Sequence, residues 1–375
     1  MGTLVTAAVP GAGMAADGGT EHVPLCDDGI LIRVPVQVYG KTRYFMLDTG
    51  CSLSSLDLRF KDRLGETVGQ CRAATAVNSD SRLSVYQSPE MRLGGRSLDL
   101  EEVGCVDLSM ARWVSGQRCD GVLGMDFLAH NIVSLDFDKK EAAFYGALPG
   151  EIAGGSTAII LKPLTPHWAV TVWLNDHHPV DLMIDTGDSS SLSLNEKDWE
   201  SVFSGEDPHV TSSIIGTLGG QTARNQTALV EKMSLQNLSY RNLHASSILN
   251  PDLHSTLGLS FFRRHKVTFD FPDGLLYLAP ASSYAAADKH DMSGLHLLRI
   301  GGQTVVHFVD EESPASKAGI LPEDIILSVN SRAADELAMN AIRSLLESRE
   351  GDKVCLGIRR GENRQTMTLV LERTL

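Results

Sequence analysis

The 375-residue sequence lacks several things whose absence narrows its chemistry. It holds no uninterrupted stretch of 18 apolar residues, so no segment reads as a membrane-spanning helix. It has no G-x-x-x-x-G-K-[ST] loop, no G-x-S-x-G elbow and no H-E-x-x-H pair, which argues against nucleotide use, serine hydrolysis and zinc proteolysis. None of its six cysteines (Cys26, Cys51, Cys71, Cys105, Cys119, Cys355) forms a C-x-x-C pair, so a zinc ribbon or thioredoxin-type site is not indicated. Five of the six fall in the first third, where one or two disulfides and isolated buried thiols are both open. Basic residues are outnumbered, 33 against 47 acidic, and a formal net charge of -14 disfavours nucleic acid as a partner. Aromatics are scarce at 6%, whereas 34 glycines and many Val, Leu and Thr point to strands and turns.

What is present is ordinary folded composition, 42% hydrophobic and 21% charged, on a length that suits two or three domains. Residues 1–24 read as a tail or the remnant of a signal peptide. The run from Met1 to Asp17 is small and apolar, but it has no basic residue and contains a proline. That run leans toward an extracytoplasmic setting, periplasmic or secreted.

The chain repeats itself. Tyr44 to Ser52 reads YFMLDTGCS and Asp181 to Ser189 reads DLMIDTGDS, with Asp48 and Asp185 137 positions apart. Asp120 to Leu128 (DGVLGMDFL) is matched by Ser255 to Phe262 (STLGLSFF), and Ile132 to Phe137 (IVSLDF) by Lys266 to Phe271 (KVTFDF). The second and third landmarks both recur at 134 positions. A single D-T-G arises by chance in roughly one such chain in ten to twenty. Three landmarks in one order at nearly one offset indicate a duplication.

Each unit reads mainly as strand. Ile30 to Tyr39 and Ala169 to Leu174 lead through turns at Gly40-Lys41 and Asn175-Asp176 into the apolar residues before each D-T-G. Short helices are expected near 57–64, 125–130, 196–203 and 260–265. A Gly/Pro-rich joint covers 147–157, and a linker covers 281–293. Beyond it come strands at 294–299, 304–309, 325–329, 354–359 and 365–371, with a capped helix at 313–319 and an amphipathic one at 335–347.

These motifs resemble the aspartic peptidases of the pepsin and retropepsin kind, over about residues 25–280. The leucine-glycine segments that precede a strand ending Asp-Phe look like bacterial retropepsin-like proteins. The resemblance implies a mainly β fold, a bilobal pair of pepsin/retropepsin-like β-barrels, with lobes at 25–146 and 158–280. It implies Asp48 and Asp185 as the catalytic pair. Two carboxyls about 3 Å apart cannot both ionise, so one acts as base toward water and the other donates a proton to the substrate carbonyl. Which of the two holds the proton is a property of the pair. Thr49, Gly50, Thr186 and Gly187 would support the two loops. The hairpin around Gly216, Thr217, Leu218, Gly219 and Gly220 would be a flap, with a less clear counterpart at 75–81. The sequence departs from the family after D-T-G, where Cys51 and Asp188 stand in place of Ser, Ala or Thr. Asp188 adds a third carboxylate that either raises an apparent pKa or points away.

Residues 294–375 resemble a bacterial α+β PDZ domain, on the run Ser313-Pro314-Ala315-Ser316-Lys317-Ala318-Gly319-Ile320 and then Asp324-Ile325-Ile326. Gly294, Leu295, His296 and Leu297 would form its carboxylate-binding loop, with His296 where Gly is commoner. The implied activity is a metal- and cofactor-independent aspartic endopeptidase acting on protein or peptide substrates. Its PDZ domain would take a C-terminal peptide, recruit substrate or serve only for packing. Both aspartates come from one chain, so a monomer suffices. The competing reading is a catalytically silent peptide-binding protein that uses the same cleft and groove. His177-His178 read as turn residues, not metal ligands, and the sequons at Asn225 and Asn237 matter only in a eukaryotic secretory route.

Overall fold

The structure is a computed structural model that describes residues 4–5, 19–74, 81–203, 210–216 and 222–373. Among these, four sheets form a mainly β architecture of two lobes and a C-terminal domain.

Each lobe starts from a hairpin whose turn the sequence dictates. Ile32–Val38 turns through Tyr39 (φ 53°) and Gly40 (φ 69°) into Lys41–Leu47. His167–Leu174 turns through Asn175 (φ 47°) and Asp176 (φ 64°) into His178–Asp185. Two successive left-handed residues give the turn whose twist matches that of the flanking strands. This places the first turn one residue before the expected Gly40-Lys41, because Val38 and Lys41 are the last pair of the ladder.

Behind each hairpin lies the second landmark. Gly121–Leu123 runs parallel to Lys41–Leu47, and Thr256–Gly258 parallel to His178–Asp185. The glycines here are required by close approach. A Cβ on Gly124 would stand 2.6 Å from the carbonyl oxygen of Cys51, and one on Gly258 2.3 Å from that of Ser190.

The third landmark joins the lobes. Ile132–Asp136 pairs antiparallel with His265–Asp270, Ser134 opposite Thr268. Thr268 Oγ1 donates to Ser134 Oγ at 3.0 Å. The resulting six-stranded sheet takes Glu21–Pro24, Glu141–Tyr145 and Ile132–Asp136 from the first lobe. His265–Asp270, Leu275–Pro280 and Thr157–Ile160 come from the second. A core led by Phe144, Phe261, Phe262, Phe269 and Phe271 packs within and beneath the lobes.

Several expectations are corrected. The 147–157 joint contains a short helix, Gly150–Gly155, which Pro149 precedes in extended conformation, and its last residue begins a strand. The helix near 57–64 is a 3₁₀ turn, Leu58–Phe60, followed by Lys61–Leu64. The 335–347 helix is a 3₁₀ turn, Ala334–Glu336, and then Met339–Leu346. A helix at Ser109–Ser115 went unforeseen. Its start is held by the buried Asp57 carboxylate, which accepts from Leu108 N at 2.9 Å. All six cysteines are unpaired.

The C-terminal sheet has the strand order Leu295–Ile300, Gln303–Val309, Ile325–Val329, Lys353–Arg360, Asn363–Val370. Ser313 caps the Pro314–Lys317 helix by accepting from Ser316 N at 3.2 Å. Asp324, 1% exposed, is ion-paired to Arg360 at 2.7 Å. The 281–293 linker is pinned to the second lobe. Asp288 accepts from Arg264 Nη2 at 2.6 Å and from His244 N at 2.8 Å.

Candidate active site

The two D-T-G loops meet where the lobes face each other. Thr49 N donates to Thr186 Oγ1 at 3.1 Å, and Thr186 N to Thr49 Oγ1 at 3.0 Å. Each hydroxyl donates onward to a carbonyl of the opposite lobe, Thr49 to Ile184 and Thr186 to Leu47, both at 2.9 Å. The glycines let the carboxyl groups close in. A Cβ on Gly50 would lie 2.4 Å from the Asp185 carboxyl carbon, and one on Gly187 2.4 Å from that of Asp48. Only a residue without a side chain fits either place.

Asp48 and Asp185 are both 0% exposed. Asp48 Oδ1 accepts from Gly50 N at 2.9 Å, and Asp185 Oδ1 from Gly187 N at 2.8 Å and Asp188 N at 3.1 Å. Neither Oδ2 accepts a hydrogen bond from a described residue. Burial, and then the charge of Asp185, pushes the Asp48 carboxyl well up, while burial and the charge of Asp188 push Asp185 up. The arrangement can hold one proton between two carboxyls and present two free oxygens.

Asp188 is a brace. Its carboxylate accepts from Ser190 N at 2.9 Å and from the hydroxyls of Ser190, Ser193 and Thr256, each at 2.6 Å. Burial raises this carboxyl and the hydroxyl donors lower it, and on balance it lies below the usual range. The first lobe uses a different carboxylate for the same purpose. Asp126 accepts from Ser54 N at 2.9 Å and Ser54 Oγ at 2.6 Å, and burial pushes it up to about 6. At the position matching Asp126 the second lobe has Ser260, which donates to Ser189 O at 2.7 Å. Cys51, opposite Asp188 in the repeat, is buried in an apolar cluster with Leu31 and Met46.

His167 was not foreseen. From the first long strand of lobe two it reaches the loop of lobe one, Nδ1 lying 2.9 Å from Thr49 O and Nε2 3.0 Å from Ser52 Oγ. Burial holds its pKa down. By strand register the matching position in lobe one is Leu31, so this brace exists on one side alone and nothing in the repeat announces it.

Gly216 ends the strand Thr211–Gly216 opposite Thr222, whereas Thr217, Leu218, Gly219 and Gly220 lie outside the described residues. Residues 75–80 of the first-lobe candidate flap also lie outside them. A cavity of about 750 Å³ opens beside Asp185 and extends to the C-terminal domain, where Leu295, Phe308 and Arg343 line it. In the expected carboxylate loop, Gly294 has φ 74°, and a Cβ there would meet Ser313 Cβ at 2.2 Å. Gly294 N already donates to Asp291 Oδ1 at 2.7 Å and Leu295 N to Ser293 Oγ at 3.1 Å. His296 Nε2 lies 2.9 Å from Asp310 Oδ1, and Leu297 is buried in the core. Among the described residues no group of three or more His, Cys, Asp or Glu side chains is arranged to hold a metal ion.

Comparison with known proteins places this geometry. A family model described as "Aspartyl protease" matches residues 34–127 and 170–261, and one described as "PDZ domain" matches 256–371. A probable CtpA-like serine protease of Staphylococcus saprophyticus is 32% identical over 76 residues, a match that spans 20% of this chain and 16% of that protein. A retropepsin-like aspartic protease from Rickettsia conorii is 22% identical, covering 33% of this chain and 89% of that one, at a TM-score of 0.27. Basic 7S globulin from soybean is 11% identical, covering 71% and 96%, at a TM-score of 0.44. Each D-T-G unit matches the aspartyl protease family, and the chain carries a PDZ domain at its C-terminal end.

Proposed function

We propose that the protein is an aspartic endopeptidase. The observation that carries this reading is the pair Asp48 and Asp185, buried face to face with one unpartnered oxygen each and held by a reciprocal threonine clasp. An extended substrate lies between the lobes. The ionised member of the pair takes a proton from water, whose oxygen attacks the scissile carbonyl carbon. The protonated member donates to the carbonyl oxygen. Collapse of the tetrahedral species breaks the C–N bond and delivers a proton to the leaving amine. The PDZ domain recruits a substrate or partner. One chain provides both carboxyls, so the working form is a monomer.

The test is cleavage of a diverse peptide library between pH 3 and 8 by wild type, Asp48→Asn and Asp185→Asn, read by mass spectrometry. Cleavage lost in both variants and slowed by pepstatin-like compounds supports the reading. Cleavage that survives both substitutions overturns it. Peptide capture without cleavage at any pH establishes the silent binder instead.

A further inference from the structure

A PDZ sheet takes a peptide as an added strand at its free edge, beside a helix. In this chain that edge is the strand Leu295–Ile300, last in its sheet, and the helix is Met339–Leu346. The place beside them is already filled. The Ser109–Ser115 helix of the first lobe packs against both. Its last turn is shaped for the position. Gly116 follows the helix with φ 67°, and a Cβ there would stand 2.6 Å from Met339 Cγ and 3.5 Å from Arg299 Cβ. Arg343 Nη2 donates to Val114 O, one of the carbonyls that a helix end leaves without an internal partner. The other terminal nitrogen of Arg343, Nη1, is buried and unpartnered among the described residues, and Arg343 lines the cavity that reaches Asp185.

We propose that the groove between Leu295–Ile300 and Met339–Leu346 is a binding surface for a peptide with a free C-terminus, and that its resident occupant is the chain's own Ser109–Ser115 helix. The two cannot occupy it together. The helix is tied to its own lobe, since Asp57 accepts from Leu108 N at 2.9 Å and also from Arg112 Nη1 at 2.5 Å. When a peptide enters, the PDZ domain therefore parts from the first lobe. Among the described residues it also touches the second lobe through an exposed ion pair from Arg224 to Glu311 at 3.2 Å, with the Arg224 guanidinium 4.6 Å from the Phe308 ring, and the linker before it stays tied to that lobe at Asp288. Departure removes one wall of the cavity beside Asp185. The incoming carboxylate has a cation waiting in Arg343, while Gly294 N and Leu295 N are engaged within the chain. This inference rests on the peptidase reading only for its effect on cleavage.

The experiment uses the full chain and decapeptides with four randomised C-terminal residues, offered as free acids and as amides. Binding is read by fluorescence polarisation, and opening by hydrogen exchange of the amides of residues 109–116. The free acids are expected to speed exchange in that helix of the wild type. Gly116→Ala, which crowds Met339, is expected to tighten their binding about tenfold, and the amides are expected to bind at least tenfold more weakly. Free acids that bind with exchange at 109–116 unchanged, or amides that bind as well as acids, overturn the proposal. So does the absence of binding in both proteins. The wild-type exchange result decides the matter if Gly116→Ala fails to fold. Peptide-driven exchange without cleavage of any library substrate leaves the shared groove standing and rejects the peptidase.

Discussion

Thr49 and Thr186 exchange backbone-to-hydroxyl hydrogen bonds across the lobe boundary at 3.1 and 3.0 Å, so each lobe completes the other's loop. Either hydroxyl is both acceptor and donor, and both threonines are buried. The position of each aspartate is therefore a property of the joined lobes, not of its own loop.

Replacing either threonine with valine keeps the shape and strands a buried N–H and a buried carbonyl. Thr49→Val and Thr186→Val are each expected to cost about 1 to 3 kcal/mol for each polar group left unsatisfied. Urea denaturation measures this. Loss of kcat/KM beyond what unfolding explains would show that the clasp also sets the carboxyl geometry.

The buried pair destabilises the fold once both carboxyls are asked to ionise. A carboxyl raised in the folded state contributes stability below its unfolded pKa and loses it as pH rises through the folded value. Asp48→Asn is therefore expected to melt above wild type at pH 7, by an amount on the order of 1 to 3 kcal/mol, with the gap closing toward pH 4. Calorimetry at the two pH values checks this, and a gap that widens toward acid contradicts it.

Asp188 behaves in the opposite sense. Its carboxyl is depressed, so its contribution is present above its unfolded pKa and lost as pH falls through the folded one. Asp188→Asn is expected to cost about 1 to 3 kcal/mol near neutrality, because an amide nitrogen faces three hydroxyl donors. Losing the anion also eases the ionisation of Asp185, so the alkaline limb of the cleavage profile should move to lower pH.

His265 gives an acid-sensitivity test away from the cleft. It is 1% exposed, lies 2.9 Å from the Tyr240 hydroxyl, and burial pushes it down to about 4. A histidine held neutral stabilises the fold above its unfolded pKa and loses this as pH falls toward the folded value. His265→Gln is expected to flatten the fall in stability between pH 6.5 and 4, by about 1 to 3 kcal/mol. Equal slopes in the two proteins would exclude His265 as a source of acid lability.

The sequence revealed what repetition and local chemistry encode. The two D-T-G loops, the Gly-terminated strands behind them and the Ser313 cap are each written in a few adjacent residues, and the duplicated landmarks certify them. The Ser109–Ser115 helix was hidden because its N-cap residue is Leu108: Asp107 Oδ1 accepts from Ser109 N at 2.8 Å, but Leu108 N is held by an aspartate some fifty positions earlier. His167 was hidden for the same kind of reason. Its partners are 115 and 118 positions away, and the matching position in the repeat is Leu31. The role of Asp188 required seeing that the second lobe braces its loop from within D-T-G-D, whereas the first uses Asp126 of Leu-Gly-Met-Asp.

The sheet that takes three strands from each lobe also bears on how the molecule comes into being. Its two central strands, Ile132–Asp136 and His265–Asp270, are separated by more than a hundred residues of chain, so this floor closes only after nearly all of both lobes has been synthesised. A nascent first lobe emerges with Ile132–Asp136 as a bare edge, waiting for a sister that has not been made. The same edge is a recipe for reassembly. Two fragments divided near residue 155, co-expressed, each carry half of the sheet and should find one another through it, whereas either alone should be prone to self-association.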